Sequence, residues 1–119
     1  MGASITRESY REALAKAVEL KGSDFIYTKP EDAVMCQYMN GDEPDCIHAH
    51  ALHALGITQL HQYERTSIRV ILHDLGVDDD IFIEAAVRSQ YVQDNGATWG
   101  KALEAFDSQI SNPVPSLNW

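Results

Sequence analysis

The residues in this sequence best suited to chemistry are concentrated in the segment DCIHAHALHALG, residues 45–56, which has one cysteine and three histidines within eight positions. Thiolate and imidazole groups bind zinc, and a cysteine beside a histidine can also form a reactive thiolate. Cys46 precedes His50 by four residues and His50 precedes His53 by three, and both spacings let two side chains on one helix bind the same ion. Cys46 and His53, however, are separated by about 10.5 Å of helix rise, which is too far for all three to bind one metal.

A zinc site here would therefore need ligands from outside the segment, and Cys36, His61 and His73 are available in the sequence. No CxxC pair, a common element of structural zinc sites, accompanies them. A nucleophilic pair of Cys46 and His50 would lack a third group to orient the imidazole. We therefore expect no catalytic residues, no cofactor and no metal; if a metal is bound, the expected ligands are Cys46, His50 and Cys36.

Helical geometry divides the four side chains three against one. The sequence predicts a helix over residues 45–55, with Asp45 as N-cap and Gly56 at its end. Three of the four side chains, those of Cys46, His50 and His53, then lie within an arc of about 60°. They form a polar face that a neighbouring hairpin would partly cover. The opposite, apolar face consists of Ile47, Ala51 and Leu55. His48 lies on the apolar side, where we expect its ring to contact the edge of the core with one nitrogen hydrogen-bonded, or to lie at a subunit contact.

The pattern of apolar residues predicts the elements that must position this segment. Helices are expected over residues 6–21, 58–63 and 66–75, then over a long segment from the aspartates at 78–80 to Asn95-Gly96, and finally after a cap at Thr98. Strand-forming residues at 25–28 and 34–39, joined by the turn sequence KPED, predict a β-hairpin that ends at Asn40-Gly41. The predicted fold is mainly α (α+β): a small helical domain of about five or six helices with one β-hairpin inserted after the first helix.

This domain is expected to occupy residues 1–110, followed by an extended or disordered tail at 111–119 that contains two prolines. Its core is predicted from the inner faces of the helices and the hairpin, and is expected to include Leu14, Val18, Tyr27, Cys36, Ile47, Ala51, Leu55, Ile71, Leu75, Phe82, Ala86, Trp99, Leu103 and Phe106.

The chain has 9 basic and 18 acidic residues, which gives a net charge of −9. Such a surface repels nucleic-acid phosphates and anionic lipid and favours basic protein partners. No stretch approaches the roughly 20 apolar residues of a membrane helix, and the N-terminus lacks the features of a signal peptide. We therefore expect a cytoplasmic protein with free thiols that binds neither nucleic acid nor membranes.

Residues 57–77, ITQLHQYERTSIRVILHDLGV, have about the lengths of a helix-turn-helix, with Ser67, Arg69 and Val70 placed to face a DNA groove. The unit is electrically neutral, because its two arginines are balanced by Glu64 and Asp74. Phosphate contacts normally dominate affinity for DNA, and a neutral unit has little positive charge to make them. A DNA-binding regulator is therefore only the second hypothesis for function. A zinc- or thiol-dependent enzyme is the third.

The long helix has two apolar stripes, and a helix that is apolar on two sides is central or faces a partner. The second stripe, Ile83, Val87 and Tyr91, is therefore the predicted binding surface for a partner protein or for a second copy of the chain. The tail VPSLNW ends in Trp119, whose apolar side chain is a further candidate for partner binding.

Two patches, PDCIHAHALHALGI and QDNGATWGKAL, resemble a family of small accessory proteins encoded by actinobacteriophages of the mycobacteriophage type and by their hosts. The matching residues are Pro44, Cys46, Ile47, His50, Leu52, His53, Leu55 and Gly56, then Gln93, Gly96, Trp99, Gly100 and Ala102. In the second patch we expect Thr98 to cap, Trp99 to anchor a helix in the core, and Gly100 to admit another helix.

The resemblance implies little chemistry, because members of this family are generally uncharacterised, but some such phage proteins bind and disable a host protein. The leading hypothesis is therefore a non-enzymatic interaction protein that binds a host protein in the host cytoplasm, with a homodimer as a further possibility.

Overall fold

The computed structural model describes residues 5–28, 38–40, 43–58, 60–63 and 66–113. The elements in chain order are α1 (Arg7–Lys21), β1 (Met39–Asn40), β2 (Glu43–Pro44), α2 (Ile47–Ala54), a 3-10 turn (His61–Tyr63), α3 (Ile68–Asp74), α4 (Asp80–Asp94) and α5 (Trp99–Ser111). The fold is mainly α, with a two-stranded antiparallel ribbon after the first helix, as the sequence predicted. The tail residues 114–119, with Trp119, lie outside the described residues.

Most of the helices begin at residues whose side chains accept a hydrogen bond from the first turn. Thr6 and Ser9 form a reciprocal capping box at α1, and Ser67, Asp79 and Thr98 cap α3, α4 and α5. Each cap satisfies a backbone N–H that has no partner within its own helix. The local sequence therefore sets where these helices start.

The core lies between α4 and the helices around it, since α4 packs against α2, α3 and α5, and α1 packs against α2 and α5. Tyr10, Phe82 and Phe106 form an aromatic cluster at its centre, with ring centroids 5.2–6.1 Å apart. Most predicted core residues are buried: Leu14, Tyr27, Ile47, Ala51, Ile71, Phe82, Ala86, Trp99 and Phe106. Val18, Leu55, Leu75 and Leu103 lie at the edge of the core, and Cys36 is outside the described residues.

The ribbon differs from the predicted hairpin. Met39 pairs with Pro44 and Asn40 with Glu43, so the observed strands flank residues 41–42. In the described part of the expected first strand, Ile26 forms an isolated bridge with Thr98. The preceding carbonyls of Ser23 and Phe25 accept hydrogen bonds from the first N–H groups of α5, which ties this segment to α5; residues 29–37 lie outside the described ranges.

The expected helix over residues 58–63 is also wrong, because the described part of this segment forms a single 3-10 turn at His61–Tyr63. Ile57 donates its N–H back to the Leu52 carbonyl at 2.9 Å, which closes the end of α2 at Gly56, where φ is +92°. Leu60 is then fully buried just before the turn.

Candidate functional site

Helix α2 begins one residue later than the sequence predicted. Its N-cap is Cys46, not Asp45, and the Cys46 side chain makes no capping hydrogen bond. The Asp45 carboxylate instead accepts a hydrogen bond from the Tyr27 hydroxyl at 2.9 Å. The first N–H of the helix, from Ile47, is donated to the side-chain oxygen of Gln93 on α4 at 2.9 Å. A distant amide therefore performs the capping that a local carboxylate was expected to perform.

Cys46 is fully buried, so it does not lie on a polar face as predicted. Cys46 therefore contributes to the hydrophobic core.

His48 is fully buried and lies on the apolar side of α2, as expected, but deeper than the edge of the core. Its Nδ1 is hydrogen-bonded to the Tyr10 hydroxyl at 2.7 Å, and the two rings stack with centroids 5.8 Å apart. Burial lowers the pKa of His48 to about 3, so the imidazole is neutral near pH 7. Its Nε2 has no hydrogen-bond partner in the described part of the chain.

His50 is half-buried and packs edge-to-face against Trp99, with ring centroids 5.4 Å apart. Burial lowers the pKa of His50, and the nearby Lys21 cation lowers it further. His53 is also half-buried, one turn further along α2. Among the described residues, no three histidine, cysteine, aspartate or glutamate side chains are placed to hold a metal ion; Cys36 lies outside them.

Two buried glutamines on α4 accept hydrogen bonds from the first backbone N–H groups of other helices, and sequence reasoning missed both. Gln93 accepts from Ile47 at α2, and Gln90 accepts from the first N–H of α3, that of Ile68, at 3.0 Å. The Gln90 amide also donates to the Tyr38 hydroxyl at 2.6 Å. The available signal was the i, i+3 spacing of two uncharged polar residues on a helix predicted to be central.

The proposed helix-turn-helix unit does not have two helices among its described residues, since a 3-10 turn precedes α3. Arg69, which was placed toward DNA, donates to the buried Glu84 carboxylate on α4 at 3.0 Å. The basic group of α3 is thus directed to the protein itself. Val70 is 53% exposed beside it.

The predicted partner surface on α4 is largely internal. Ile83 and Val87 are 2% and 0% exposed and belong to the core, so this prediction is wrong for both residues. Tyr91 is 41% exposed and remains at the surface. It lines a shallow groove of about 360 Å³ between α4 and α5, together with Arg88, Val92, Ala105, Ser108, Gln109 and Asn112.

A larger cleft of about 820 Å³ lies where the N-terminal ends of α1 and α4 meet. Arg7 bridges the two ends, since its guanidinium donates to both carboxylate oxygens of Asp79 at 2.6 and 3.0 Å. The hydrogen bond from Arg7 lowers the pKa of Asp79, so the pair stays ionised at neutral pH. Glu8 and Asp78 also line the cleft, together with the apolar residues Ile5, Leu75, Val77 and Phe82.

Comparisons of the chain with protein-family models, with curated proteins and with solved structures found no match. None of the helices in the described ranges combines the length and the apolar character that a membrane-spanning segment requires.

Proposed function

We propose that the protein is a non-catalytic interaction module whose partner presents basic groups, in line with its resemblance to phage accessory proteins that bind a host protein. The observation that carries the proposal is the distribution of charge. All four arginines in the described ranges, Arg7, Arg11, Arg69 and Arg88, lie within 4.0 Å of a carboxylate. Many carboxylates by contrast are exposed and have no ion-pair partner within the described residues: Glu19, Asp24, Asp78, Asp80 and Glu104.

The paired arginines offer little to a phosphate backbone, and the two exposed lysines without an ion pair in the described ranges, Lys21 and Lys101, are outnumbered by such carboxylates. Unpaired surface carboxylates attract a basic protein over a distance of about one Debye length, roughly 8 Å at physiological salt. This asymmetry disfavours the DNA-binding alternative, whose Arg69 is held by Glu84. It favours a protein partner whose association is accelerated by opposite charge.

The experiment is affinity purification of the tagged full-length chain from an actinobacterial lysate at 50 and 500 mM NaCl, followed by mass spectrometry. We expect a basic protein to co-purify at low salt and to be released at high salt. A variant with Glu19→Gln, Asp78→Asn, Asp80→Asn and Glu104→Gln should recover less of it. A matched control with Thr58→Ala and Ser108→Ala, both at exposed positions, should recover as much as the parent.

Two outcomes would contradict the proposal. One is that no protein satisfies both conditions, namely release from the parent at high salt and lower recovery with the charge variant. The other is that the purified chain retards duplex DNA in a gel at low salt, which would support the regulator instead.

A further inference from the structure

We draw no further inference here: the strongest candidate, the shallow groove between α4 and α5 that Tyr91, Val92 and Ala105 line, carries none because nothing within the described residues shows what covers it.

Discussion

His48 makes the stability of the fold depend on pH, and this can be tested with the substitution His48→Asn. The imidazole is fully buried, its pKa in the folded chain is about 3, and the ordinary value is 6.5. Asparagine cannot take up a proton, and its side-chain oxygen can replace Nδ1 as the partner of Tyr10.

Above pH 6.5 the imidazole is neutral in both the folded and the unfolded chain, so it causes no dependence on pH. As the pH falls below 6.5, the unfolded chain binds a proton that the folded chain does not, and the free energy of unfolding decreases. The decrease approaches about 1.4 kcal/mol per pH unit. It reaches about 2 kcal/mol at pH 5 and about 4 kcal/mol near pH 3, against a total stability of about 5–15 kcal/mol for a small domain.

The assay is urea unfolding followed by tryptophan fluorescence at several pH values between 4 and 7.5. At neutral pH we expect His48→Asn to be less stable by about 1–3 kcal/mol, because the smaller side chain packs less well. Between pH 4 and 6 the free energy of unfolding should depend less steeply on pH in this variant than in the parent, and the two slopes should differ by about 1.4 kcal/mol per pH unit. The control Tyr10→Phe retains the buried imidazole and should retain the parent's slope. Equal slopes in the parent and in His48→Asn would refute the reasoning.

Three further predictions concern the joints between helices. Gln93→Leu should lower the free energy of unfolding by about 1–3 kcal/mol in urea titrations, because the Ile47 N–H loses its acceptor in the interior, and a neutral result would show that α2 does not need this cap. Gly100→Ala should lower stability by about 1–3 kcal/mol, because a Cβ there would lie 2.8 Å from the Ser23 carbonyl oxygen; Lys101→Ala, at the exposed next position, is the control in thermal melts. In a Cys36→Ser background, Cys46 should react with Ellman's reagent only as fast as the chain opens, and rapid modification without urea would contradict its burial.

The features that the sequence predicted well are those decided by neighbouring residues. Thr98 caps α5 as expected. The predicted starts of α1, α3 and α4 lie within two residues of the observed ones, where Thr6, Ser67 and Asp79 cap through contacts that span two or three residues. The position of His48 on the apolar side of α2 also follows from local geometry, but its full burial, deeper than the expected edge of the core, does not.

The features that the sequence did not predict are decided by distant residues. Asp45 is a better N-cap than Cys46 by residue type, but α2 starts after Cys46 because Gln93, 46 positions away, accepts from Ile47. Helical periodicity showed two apolar stripes on α4 but not whether the second would face a partner or other helices of the same fold, and Ile83 and Val87 are buried within the core. Gly100 does admit a close approach, but of the loop at Ser23 and not of a helix.

Two sequence patches, PDCIHAHALHALGI and QDNGATWGKAL, are far apart in the sequence and meet in the structure. Gln93 of the second patch accepts from Ile47 of the first, and Trp99 of the second packs on His50 of the first. The glycine after Trp99 lets the N-terminus of α5 approach the Ser23 carbonyl, which fixes α5 against the end of α1. These residues therefore form a joint between α2, α4 and α5, in which Cys46 is buried and His50 packs on Trp99. A partner-binding role must then be sought on surfaces that this joint leaves exposed.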